Sequence, residues 1–191
     1  MRQARTRLSF GGCLGGTAHI QELGPPPHRS NLHLIDDIGI DALERLLRPF
    51  GLTPTRVPAA APIPGSYWGE PEAGLIGDRL YLRGDTPVHS ALHEACHYIC
   101  MDATRRRNLH TNAGGSTAEE DAVCWLQLAL ADHLSGIGRE AMFGDMDDWG
   151  YSFRLGSARA WFEQDADDAK AWLHRHGLIT GAGTPTWMLR R

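Results

Sequence analysis

No run of 18 consecutive apolar residues occurs in this 191-residue chain, which excludes a membrane-spanning helix. An excess of positive charge is missing too. With 19 Lys and Arg against 23 Asp and Glu, the net charge of −4 leaves no electrostatic footprint for nucleic acid or for an anionic membrane surface. Cysteine is scarce: the four, at positions 13, 96, 100 and 124, lack the paired spacing of a secreted disulfide framework. Cys96 and Cys100 are four apart, where a disulfide across one helix is geometrically unfavourable, so the thiols read as reduced and the compartment as cytoplasmic. A clean signal peptide is also absent. Arg2, Arg5 and Arg7 precede a short, Gly-rich stretch that runs into His19, Gln21 and Glu22 without a small-residue cleavage site. There is no internal repeat.

What remains is the composition of one globular domain, 42% hydrophobic and 22% charged, long enough to bury a core. Residues 1–30 read as a disordered leader ending in the Gly24-Pro25-Pro26-Pro27 breaker, and residues 181–191 as a tail that Trp187 pins. Between them, residues 40–48 carry Leu43, Leu46 and Leu47 at helical spacing, stopped by Pro49 and Gly51. The Pro- and Gly-rich stretch 52–71 reads as a surface loop anchored by Tyr67 and Trp68. Leu75-Ile76 and Leu80-Tyr81-Leu82 flank Gly77-Asp78, the signature of a two-residue hairpin turn. Helices are expected over 87–101, 117–134 and 139–148, then one or two over 157–176 broken near Asp165 and ended by Gly177. Arg105-Arg106-Arg107 reads as a solvated helix end.

The richest stretch is His93-Glu94-Ala95-Cys96-His97, on the helix that Thr86 as N-cap and Pro87 at the first helical position predict. Residues four apart on a helix share one face, so His93 and His97 can present two imidazole nitrogens to one metal ion. Glu94, one position round, is placed to take a proton from a water on that metal, which makes it the expected general base. His89 extends the ladder, but it lies about 12 Å from His97 along the axis, too far to share the ion.

A catalytic zinc keeps about three protein ligands and one open position, so a third ligand is needed. With Thr117 as N-cap and Glu120 closing a capping box, the helix over 117–134 is apolar nearly all round. Taking Leu126 as the centre of its buried face puts Glu119 about 20° away and Glu120 about 120° away. A carboxylate amid apolar side chains needs a partner or a metal, which selects Glu119 as the third ligand. Glu119 as a cap from Ser116, and Cys100 as a soft sulfur donor, are the alternatives. Tyr151 is the chosen donor to a developing oxyanion, with Arg154 and His110 as competitors. Asp145, Asp147 and Asp148 read as a solvated acidic helix end rather than a cation site.

The expected fold is α+β and predominantly helical: a metal-binding helix pair with a small hairpin, in one catalytic domain over 31–180. His93-Glu94-x-x-His97 followed by a helix bearing Glu119-x-x-Ala122 resembles the gluzincin group of zinc metallopeptidases. That resemblance implies a zincin-like fold, a zinc cofactor, a peptide or small amide substrate, and cleavage by a metal-activated water. In such enzymes a strand beside the metal helix holds substrate by β-augmentation, a role the hairpin would take here. The thermolysin-like Asn-Glu-x-x-x-Asp is absent, since Ala118 and Val123 stand at its outer places. Ala91-Leu92-His93-Glu94-x-x-His97-Tyr98 is similar to the motif of the bacterial elongation factor P hydroxylases. This second resemblance implies Fe(II) on the same residues, two His and one carboxylate being the facial set of non-haem iron oxygenases. A third expectation is a non-catalytic, metal-stabilised interaction domain, with Cys100 or His110 closing the site.

Overall fold

The computed structural model describes residues 6–8, 20–22, 32–67, 69 and 71–191. Within the stretch read as leader, β1 (Thr6–Leu8) and β2 (Ile20–Glu22) pair antiparallel; its other residues lie outside the described ones, as does Trp68.

Short helix α1 (Ile35–Ile38) leads into α2 (Ile40–Leu47), which buries Leu43, Leu46 and Leu47 as its spacing predicts. A 3₁₀ turn, Arg48–Phe50, and Gly51 at φ 68° then end it. The next stretch is not all loop. Strand β3 (Thr53–Arg56) runs parallel to β5 (Arg79–Leu82), which pairs antiparallel with β4 (Gly74–Ile76) across the expected Gly77-Asp78 turn. The strand order is β3-β5-β4, so Pro54 sits on an edge strand, where a missing N–H costs the ladder little. No turn motif announces β3, because a parallel partner is by necessity distant in sequence. The free edge of β4 is covered: Gly77 N–H donates to the Leu109 carbonyl and Thr111 N–H to that of Leu75. The hairpin therefore does not offer β4 for β-augmentation.

Helix α3 (Val88–Cys100) carries the HExxH motif, and nearly every residue in it is buried. Its N-cap is Pro87, one residue later than expected. Thr86 is spent on the preceding turn, where its hydroxyl accepts from Arg83 N–H, while Val88 N–H is satisfied by the His33 carbonyl. The other end is closed by two arginines. Four carbonyls at a helix C-terminus lack partners within the helix. Here Arg106 donates to the Tyr98 and Met101 carbonyls, and Arg190 donates through its backbone N–H to Ile99 and through its guanidinium to Cys100. Arg106 is thus a cap, not a solvated charge. It lies on α4 (Ala103–Arg107), itself capped by Asp102, whose carboxylate accepts from Thr104 and Arg105 N–H groups.

Helix α5 (Thr117–Ala131) packs on α3, on α6 (Arg139–Trp149) and on α8 (Asp167–Arg175). Between the last two, α7 (Ala158–Gln164) starts from Ser157 as N-cap and stops at Asp165, the expected break. The carboxylates of α6 are also structural: Asp145 binds the His33 ring and Asp147 accepts from Ala158 N–H. In the tail, Trp187 lies against Phe50, with ring centroids 5.8 Å apart. One apolar core joins the sheet and the helices, so the architecture is α+β. Among the described residues no helix is long and apolar enough to cross a membrane.

Candidate metal centre

One turn apart on α3, His93 and His97 bring their Nε2 atoms within 3.1 Å of each other. Glu120, from the first turn of α5, places Oε2 3.4 Å from His97 Nε2. One donor atom from each residue falls in a group whose members all lie within 4.8 Å of one another, and no other such group of three occurs among the described residues. Donors bound tetrahedrally at about 2.0–2.1 Å stand about 3.3 Å apart, so the 3.1 and 3.4 Å spacings suit a small divalent ion, with all three donors within 4.8 Å of one another. The carboxylate is aimed from behind. Gly115 N–H donates to Glu120 Oε1 at 2.7 Å, which leaves Oε2 for the histidines.

The third member is Glu120 and not Glu119. The Glu119 carboxylate lies outside the donor group and is held by Arg105 at 2.6 Å and Arg190 at 3.0 Å. Two causes shift the assignment. The helix starts at Ser116, whose hydroxyl accepts from Glu119 N–H, so the cap is one residue earlier than Thr117. More seriously, α5 is buried on all sides, between α3, α6 and α8, so a single apolar face centred on Leu126 does not exist. Glu119 and Glu120 are both buried, 4% and 8% exposed, and each needs a partner; they find different ones.

A better signal was in the sequence. Within the buried body of α5 the polar side chain beyond the first turn is Gln127, seven residues after Glu120 and so about 20° from it around the helix. The Gln127 amide meets His93 directly: Oε1 lies 3.1 Å from His93 Nδ1, and Nε2 donates to the His89 carbonyl at 3.0 Å. The stripe through Glu120 and Gln127 is the face that α5 turns to the histidines.

Electrostatics keep both imidazoles neutral. Burial holds His93 down at about 4, with His97 adding to the effect and Glu120 and Gln127 opposing it. His97 falls to about 3 through burial and the nearby Arg105. Neutral imidazole is the form that ligates a metal. Glu94 moves the other way, to about 8, because burial and then the charges of Glu72 and Glu120 disfavour its carboxylate. Glu72 is brought there by its own loop, tied to α3 where Ala73 N–H donates to the Ser90 hydroxyl.

Tyr151 stands beside the group, its ring edge-on to His93 with centroids 5.7 Å apart. Its phenol meets the Gln127 side chain, and burial keeps it protonated far above the ordinary range. The competitors lie elsewhere. Arg154 pairs with Asp165, and His110 hydrogen-bonds Thr111 and bridges Ile76 in the sheet. His89 packs its ring against Trp149 and Tyr151. Neither Cys100 nor His110 belongs to the donor group; Cys96, Cys100 and Cys124 are buried free thiols.

In comparisons with known proteins, no family model, no curated protein and no solved structure matches the chain. Its function therefore rests on the chemistry of the site itself.

Proposed function

We propose that the protein is a metal-dependent hydrolase of an amide or peptide bond, in which His93, His97 and Glu120 hold zinc and Glu94 is the acid/base. The observation that carries this reading is the convergence of three donors from two helices beside a buried carboxylate that none of them uses. Zinc bound there would polarise a carbonyl and lower the pKa of a coordinated water to about 7.

Glu94 is suited to moving that proton. A group titrating near the working pH is the best compromise between availability and driving force, and burial has brought Glu94 to about 8. A cation among its neighbours favours the ionised form, so binding the metal readies the base. Tyr151 keeps its proton beside the His93 ring, and on leaving the Gln127 side chain it could donate to an oxygen acquiring negative charge. The zincin-like character of the helix pair belongs to this proposal too.

The test is metal content followed by turnover. Protein purified without added metal should carry zinc, and a peptide and amide library should reveal cleavage that Glu94→Gln abolishes while the metal stays. Loss of metal in that variant, or unchanged turnover, overturns the assignment.

One observation favours a second reading. The donor set is two histidines and one carboxylate, which is also the facial set that holds Fe(II) in oxygenases. Iron in the purified protein, with Fe(II)-dependent oxygen uptake and no hydrolysis, selects it.

A further inference from the structure

We propose that Gln127 is a positioning residue that fixes His93 as the Nδ1–H tautomer and so keeps Nε2 unprotonated and directed at His97 and Glu120. The inference rests on the metal reading above for its purpose, but not for its chemistry. A backbone carbonyl can only accept, so the group that Gln127 turns to the His89 carbonyl at 3.0 Å must be its NH₂. The amide oxygen therefore faces His93 Nδ1 at 3.1 Å, and because that oxygen can only accept, Nδ1 must carry the hydrogen. A neutral imidazole has one such hydrogen, which leaves the Nε2 lone pair free.

The amide is clamped from several sides. Gln127 is fully buried, with its NH₂ also 3.6 Å from Met142 Sδ on α6 and the Tyr151 phenol on the same side chain. Turning it over would oppose two oxygens at His89, whichever tautomer His93 held. Packing alone does not ask for this residue, since its neighbours Leu126 and Leu128 are apolar and fully enclosed. His97 has no counterpart: its Nδ1 is buried without a hydrogen-bond partner among the described residues. With His93 Nε2 bare, the 3.1 Å contact between the two Nε2 atoms is bridged by the His97 proton when no metal is bound. Adjacent turns of α3 thus hold opposite tautomers.

Nitrogen-15 NMR of the histidine rings in chelator-treated protein reads this directly. Wild-type His93 should be Nδ1–H and His97 Nε2–H. Gln127→Met, which keeps the bulk and removes the amide's hydrogen bonds, should move His93 towards Nε2–H; Gln127→Glu, which keeps an acceptor, should retain Nδ1–H. Competition with a zinc chelator should show Zn²⁺ affinity reduced about 10–100-fold in Gln127→Met, the range for losing such a supporting contact, and a smaller loss in Gln127→Glu. An Nε2–H His93 in the wild type overturns the proposal even if Gln127→Met fails to fold. So does an unchanged tautomer in a folded Gln127→Met, or an equal affinity loss in both variants. Wild-type protein with Nδ1–H His93 that binds neither Zn²⁺ nor Fe²⁺ upholds the tautomer assignment and overturns the metal reading.

Discussion

Glu120 Oε2 stands 3.4 Å from His97 Nε2 across the seam between α3 and α5, while the residue before it, Glu119, is turned into a pair of arginines. Adjacent carboxylates on one helix thus have separate duties, and substitution should separate them.

Glu120→Gln should lower Zn²⁺ affinity by more than about 100-fold, beyond what a supporting contact contributes, with little change in metal-free stability. Glu119→Gln should leave affinity nearly intact and lower stability by about 1–3 kcal/mol, because Arg105 and Arg190 lose a buried charged acceptor. Chelator competition and urea unfolding measure the two quantities. The reverse pattern would restore Glu119 as the ligand.

The metal-free protein should lose stability as the pH rises from about 6.5 to about 8. His93 and His97 are held at about 4 and 3, below the unfolded value of 6.5, so between those limits the unfolded chain binds more protons and stability rises with pH. Glu94 is raised from 4.5 to about 8, so over that window the folded chain binds more protons and stability falls as pH rises. Below 6.5 the two histidines are offset by Glu94, by Asp121, lifted to about 6 mainly by burial, and by Glu120, also raised mainly by burial, so the acid limb is nearly flat. Between about 7 and 8 Glu94 dominates, with a slope of up to about 1.4 kcal/mol per pH unit; towards pH 9 the thiols of Cys96, Cys100 and Cys124, which burial pushes up, add a fall of their own. Urea unfolding of chelator-treated protein from pH 5 to 8 checks this: the decline between 6.5 and 8 should disappear in Glu94→Gln, and its persistence there refutes the assignment to Glu94.

Arg106→Met should destabilise the fold by about 2–3 kcal/mol through the terminal carbonyls of α3 that it uncovers, with Zn²⁺ binding recoverable at saturating metal. Thermal unfolding measures it. A change within about 0.5 kcal/mol, the usual range for a surface substitution, would mean that the guanidinium is only a solvated charge.

Gly115→Ala tests the backing of Glu120. A Cβ there would lie 2.5 Å from Glu119 Oε1, which the two arginines hold in place, so the loop must shift and take with it the N–H that orients Glu120. Zn²⁺ affinity should fall about 10–100-fold, as when an orienting contact is lost. Calorimetric titration showing wild-type affinity would remove Gly115 from the site.

Whatever depends on local periodicity could be read along the chain. Residues four apart on a helix share a face wherever the helix is packed, so the His93 and His97 pair and the offset of Glu94 were legible. The Gly77-Asp78 hairpin and the break at Asp165 were legible for the same reason, since turn and cap chemistry act within a few residues. Which carboxylate joins the histidines was settled by the packing of α5 on α3. Angular reasoning from apolarity needs a solvent side as reference, and α5 has almost none beyond its first turn, so the apolar pattern could not tell Glu119 from Glu120; Gln127, seven residues after Glu120, was the one mark of its face. Strand β3 and the capping of α3 by Arg190 were hidden likewise, because a parallel partner and a carbonyl 90 residues from its donor leave no mark on nearby residues.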